Sequence, residues 1–167
     1  MNIKLIVIAL LLAGVVAGGF LYKKYRVAPD ITLTTIPLTD LSGNRYELRD
    51  DAHKVYVVNF FATWCGPCIK ELPALAYIAH HYSKLGWKFV CVSDEAPERL
   101  QQLAQAYANE SLVFVHCNKP LKDLQVYTVP TTYILNKQLE IQYKTTNGEN
   151  WMSEKIVHQL DEIDRVN

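Results

Sequence analysis

Val57-Val-Asn-Phe-Phe-Ala-Thr-Trp-Cys65-Gly-Pro-Cys68-Ile-Lys-Glu-Leu-Pro73 joins an apolar run to a pair of cysteines and then to a new periodicity. Residues 54–61 are nearly continuously apolar and rich in β-branched side chains, the pattern of a strand buried on both faces of a parallel sheet. After the cysteines, Ile69, Leu72, Leu75, Ile78, Ala79 and Tyr82 recur every three or four residues, which predicts a helix to about residue 84, closed by Gly86. Cys65 therefore falls at a helix N-cap, where unpaired amides and the positive end of the helix dipole favour a thiolate. Cys68, one turn further on, lies on the same side and is placed to resolve a mixed disulfide made by Cys65. Pro67 costs no hydrogen bond in a first turn, and Gly66 leaves the approach to sulfur open.

Outward from this junction, residues 87–92 read as a strand, 97–108 as a helix with Leu100, Leu103, Ala104 and Tyr107 on one face, and 112–116 as a third strand. This β-α-β-α-β order implies parallel pairing. Upstream, residues 31–48 form a hairpin around Ser42-Gly43-Asn44. Downstream, 131–135 and 139–145 form an antiparallel hairpin across Asn136-Lys137-Gln138, and a last helix is capped near Asn150 with Met152, Ile156, Leu160 and Ile163 as its buried stripe. The fold class is α/β, a mixed central sheet flanked by helices. Pro73 is expected to bend the first of these helices.

With 167 residues, the chain has room for one domain and a short appendage. Residues 5–21 carry no charge and are flanked by Lys4 on one side and Lys23, Lys24 and Arg26 on the other. At about 1.5 Å per residue this run just reaches across a hydrocarbon core. Residues 1–22 are read as a signal anchor, 23–29 as a linker and 30–167 as the domain. A cleaved leader is the competing reading at Val15-Val16-Ala17, and the apolar run through Phe20 and Leu21 favours the anchor. Seventeen basic and 17 acidic residues balance, so nothing speaks for a nucleic-acid partner.

Trp64-Cys65-Gly66-Pro67-Cys68 at a strand-to-helix junction resembles the thioredoxin superfamily, and residues 57–73 are similar to its membrane-tethered thiol-disulfide oxidoreductases of the TlpA/ResA type. The resemblance implies a thioredoxin-like fold with an inserted helix-strand unit, and a dithiol cycle of Cys65 and Cys68 that needs no cofactor beyond their disulfide. It makes Pro130, in Thr128-Val129-Pro130-Thr131-Thr132, the cis-proline beside the cysteines, with Val129 offered to an extended substrate. Asn59 stands where soluble thioredoxin carries a buried aspartate, and Glu71 matches the glutamate of ResA-like proteins, which would accept the Cys68 proton. Implied partners are disulfide-containing proteins, apocytochrome c among them, and a membrane thiol reductase of the DsbD or CcdA type as electron donor. The implied location is a bacterial cytoplasmic membrane, with the domain facing the periplasm or the exterior. The Gly-Pro dipeptide is that of thioredoxin, whose potential of about −270 mV lies on the reducing side.

Several alternatives stand beside this reading. The cysteine pair is also compatible with a static disulfide, or with a zinc site if Cys91 and Cys117 converge on it. Cys91 and Cys117 read as buried free thiols or as a disulfide of their own. Glu71 is otherwise a solvated first-turn acid, and Trp64 either a landing surface for substrate or a packing residue. His80, His81 and His116 form no ligand pattern with the cysteines and read as surface or packing residues. A general envelope antioxidant reductase shares these features, but no Pro-x-x-x-Thr-x-x-Cys pattern leads into Cys65, which argues against a peroxidase. A copper-binding chaperone of the same fold would separate its cysteines further and recruit a histidine. Two departures from the family pattern are the absence of glycine at Asn136-Lys137-Gln138 and the presence of Tyr127-Thr128 where a glycine is frequent.

Overall fold

A computed structural model describes residues 3–50, 52–108 and 111–167. Helix α1 (Ile3–Arg26) is followed by strands β1 (Leu38–Thr39), β2 (Arg45–Tyr46) and β3 (Val55–Phe60). Then come α2 (Gly66–Tyr82), β4 (Trp87–Ser93), α3 (Pro97–Ala106) and β5 (Leu112–Cys117), and finally β6 (Thr131–Asn136), β7 (Ile141–Thr146) and α4 (Glu154–Val166). Among the described residues the strands form one mixed sheet in the order β2-β1-β5-β4-β3-β6-β7. β3, β4 and β5 run parallel, while β1 pairs antiparallel with β5 and β6 antiparallel with β3. The thioredoxin-like fold is thus present, with α3 and β5 as the inserted unit.

Every residue of β3 is buried, because both faces of the strand are covered. Val55 and Val57 join Leu72, Leu75, Leu100, Ile156 and Leu160 on one face, so α2, α3 and α4 all pack there. Tyr56, Val58 and Phe60 meet Leu33, Leu38, Leu48 and Leu121 on the other, so irregular chain and short helical turns close that side. The period-two alternation of a strand sorts the two cores, and it puts Asn59 on the face of α2.

The structure differs from the sequence reading at the ends of elements. α1 continues to Arg26, and Ala28 within the expected linker is buried. α4 is capped by Ser153, whose hydroxyl accepts the Ile156 amide at 3.4 Å, and not near Asn150. The later start leaves Met152 outside the helix and exposed, with Trp151 buried before the cap, while Ile156, Leu160 and Ile163 keep the expected stripe. In the glycine-free β6–β7 turn, Leu139 takes the left-handed conformation (φ 63°), and the Asn136 side-chain oxygen accepts the amides of Gln138 and Glu140 at 3.0 and 2.9 Å. Pro73 lies inside α2, as the sequence implied, on its exposed side.

Candidate active site

Cys65 is the N-cap of α2, held in extended backbone conformation (φ −82°, ψ 101°), and its Sγ accepts the Cys68 amide at 3.2 Å. Gly66 and Pro67 form the exposed first turn, and a Cβ at Gly66 would meet nothing within 4 Å. The two cysteines are joined in a disulfide with Cα atoms 5.2 Å apart. Cys68 is fully buried and Cys65 is 5% exposed, so a partner reaches the pair from the Cys65 side. Cys65 Sγ lies 3.5 Å from the Val129 carbonyl oxygen, and the Val129–Pro130 peptide bond is cis.

The loop before Cys65 is tied down by the loop between β4 and α3. Thr63 donates its hydroxyl to Glu95 Oε1 at 2.7 Å and its amide to Glu95 Oε2, and Arg99 approaches the same carboxylate at 3.8 Å. His116 reaches the Glu95 carbonyl at 2.9 Å through Nδ1, which makes it a packing residue of this loop. His80 and His81 are exposed. Trp64, between the anchored Thr63 and Cys65 in sequence, is 73% exposed and is therefore not a packing residue. With Ala62, Asp94, Leu121, Val129 and Asn147 it lines a shallow groove of about 440 Å³ beside the sulfurs. A larger hollow, about 680 Å³, lies around the β1–β2 hairpin, and neither of the two is lined by a cysteine itself.

Behind the disulfide, Glu71 is 7% exposed and not a solvated first-turn acid. Asn59 Nδ2 donates to Glu71 Oε1 at 2.8 Å and to Thr132 Oγ1 at 2.9 Å, and the Glu149 amide donates to Glu71 Oε2 at 3.1 Å. Burial pushes the Glu71 carboxyl above its ordinary value, outweighing the Asn59 and Glu149 hydrogen bonds that favour the charged form. Among the described residues the Trp151 indole N–H has no partner at hydrogen-bonding geometry, yet it too favours the ionised carboxylate. Burial also pushes the Cys91 thiol up. Cys91 is a free buried thiol on the α2 face, and Cys117 a free buried thiol on the opposite face, so they pair neither with each other nor with the Cys65–Cys68 bridge. The sequence reading missed Glu95, Glu149 and Trp151. None of them carries a local motif, and each reaches the site through a loop.

A family model described as AhpC/TSA family matches residues 25–144. The chain is 30% identical over 123 residues to the thiol-disulfide oxidoreductase ResA of Bacillus subtilis strain 168, an alignment covering 72% of this chain and 67% of that protein. It is 35% identical over 120 residues to the thioredoxin-like protein YneN of the same strain, covering 69% of this chain and 66% of the relative. Among solved structures, StoA of Bacillus subtilis superposes with a TM-score of 0.57 at 19% identity, covering 80% of this chain and 98% of that one. The exposed lipoprotein thioredoxin of Streptococcus pneumoniae gives 0.61 at 19% identity, covering 75% and 96%. These structural likenesses show the fold.

Proposed function

The chain belongs to the AhpC/TSA family and is a thiol-disulfide oxidoreductase, and from that premise we propose that it reduces protein disulfides at a bacterial membrane surface through Cys65 and Cys68. One observation carries the reading: a disulfide at a helix N-terminus, with one sulfur slightly exposed (5%) beside a groove and the other fully buried.

In the reduced protein, the Cys65 thiolate attacks one sulfur of a target disulfide. A Cys65–target bond forms and the target's other sulfur leaves as a thiolate. Cys68 then gives its proton to the Glu71 carboxylate and attacks Cys65, which re-forms the internal disulfide and releases the second target thiolate. Two electrons pass to the target, and Glu71 later returns its proton to solvent. A carboxyl raised by burial is closer in proton affinity to a thiol than an ordinary glutamate, which makes it a better acceptor. The Val129 carbonyl and the cis-Pro130 turn offer an extended target segment a place to pair, and Trp64 offers it an apolar face. Gly66 and Pro67 leave that approach clear.

Residues Ile6–Lys24 form a helix long and apolar enough to cross a membrane, with none of it buried against the domain. Such an anchor would hold the dithiol near a membrane thiol reductase of the DsbD or CcdA type, its proposed electron source. Apocytochrome c is a fitting substrate by the same reasoning, since two cysteines must be reduced before haem attachment. The Gly-Pro dipeptide supports the reducing direction.

Cys68→Ser tests the cycle. The variant should accumulate a mixed disulfide between Cys65 and its natural target, identifiable by mass spectrometry of envelope extracts. Recovery of no covalent partner, while Cys65 still alkylates normally, would overturn the proposed role.

A further inference from the structure

The turn between β7 and α4 is built in a way that reversal of the chain does not require. Tyr143 and Thr145, on the same face of β7, both donate their hydroxyls to Glu149 Oε1, at 2.8 and 2.7 Å. Glu149 in turn donates its backbone amide to Glu71 Oε2 at 3.1 Å. Gly148, with φ 86°, lies in contact range of both: a Cβ there would be 3.4 Å from Glu71 Oε2 and 3.5 Å from Pro130 Cγ. The Asn147 amide donates to the Pro130 carbonyl at 2.9 Å, and Asn147 also lines the groove beside the cysteines. A second carboxylate is thus held next to a buried one, on the segment that touches the cis-proline.

We propose that Glu149 is a positioning residue for the exchange reaction: clamped by Tyr143 and Thr145, it fixes the 147–149 turn against Glu71 and couples that carboxylate to the cis-Pro130 loop. Its two effects on Glu71 oppose each other. The amide favours the ionised form by a hydrogen bond, and the side-chain charge opposes it by like-charge repulsion. The other groups facing Glu71 are Asn59 from β3, Cys91 from β4 and the Trp151 indole from the same turn, with Cys68 one helical turn before it. Cys91 stays a neutral thiol through the working range because burial raises it, so Glu149 is the neighbour whose charge acts on Glu71.

The inference rests on Glu71 as the proton acceptor for Cys68. Its test is the pH profile of Cys68 alkylation in the full-length Cys65→Ser protein, followed by peptide mapping, with circular dichroism to confirm folding. Glu149→Gln removes the charge and keeps an oxygen for both hydroxyls, so the carboxylate inflection should move to lower pH. Tyr143→Phe combined with Thr145→Ala loosens the turn and weakens the amide contact, so the inflection should move to higher pH. A displacement of half a pH unit in either sense changes the rate within the window by about threefold. Neither change should move the profile when Glu71 is already Gln. If Glu71→Gln shifts the profile but the Glu149 and Tyr143/Thr145 variants do not, the proposal fails and the role of Glu71 stands. If those variants act equally without Glu71, Glu149 works elsewhere and the proposal again fails. If Glu71→Gln itself changes nothing, the reading of Glu71 fails first and takes this one with it.

Discussion

The pairing of Asn59 with Glu71 decides how this site handles protons. Asn59 cannot titrate, so the buried acid has moved from the strand to the helix, where Asn59 Nδ2 holds it at 2.8 Å. Among the described residues the Asn59 side-chain oxygen has no hydrogen-bond partner, while its amide is turned toward Glu71. Glu71 also marks stability with pH. Burial raises its folded carboxyl above the ordinary value of 4.5. Above that value the native state holds a proton the unfolded state has lost, so stability is full below it and falls as pH rises through the raised value. Each unit of displacement is worth about 1.4 kcal/mol. Urea midpoints measured across this window should decline for the wild-type protein and stay flat for Glu71→Gln. Asp50 does not confuse the measurement. Burial opposes its ionisation, but hydrogen bonds from Lys88 and His53 outweigh burial and hold its carboxyl well below the usual range, so its contribution is lost only in stronger acid.

At the scale of elements, two short connections do more than link. The Glu95 carboxylate satisfies both the amide and the hydroxyl of Thr63, and so fixes the segment that carries exposed Trp64 and the α2 cap Cys65. Glu95→Ala leaves a half-buried amide unpaired, at a cost of about 1–3 kcal/mol, and should slow insulin reduction as the segment loosens. A variant with wild-type urea midpoint and wild-type turnover would show that Thr63 needs no such support. The start of α4 gives a second check. Ser153→Ala should lower stability by about 1 kcal/mol in urea unfolding, because Ser153 caps the helix, whereas Asn150→Ala removes no side-chain cap.

For the whole molecule, the question is where the anchor ends and the domain begins. Ala28 is buried in the core, and the Tyr133 hydroxyl donates to the Pro29 carbonyl at 2.9 Å, so the last residues before 30 belong with the domain. Removing residues 1–26 should release a soluble protein with unchanged insulin reduction. Removing 1–30 should cost stability as well, because Tyr133, fully buried, loses its acceptor. Equal thermal midpoints for the two truncations would show that the Pro29 contact contributes nothing.

Local sequence was enough for much of this protein. The apolar run before Cys65 became β3, the three-to-four spacing after Cys68 became α2, and Cys65 became the cap of α2, because each depends on neighbours within a turn or a pleat. The site around those sulfurs was decided by tertiary structure. Glu71 meets Glu149 across 78 residues, Asn59 meets Thr132 across 73, and Thr63 meets Glu95 across 32. No periodicity reports such pairs, since a repeat along one segment says nothing of which distant segment the sheet sets beside it. The exchange of Met152 for Trp151 in the core has the same origin: the periodicity of α4 gave Ile156, Leu160 and Ile163, but where the helix starts, and so which residue before it turns inward, is set by tertiary packing.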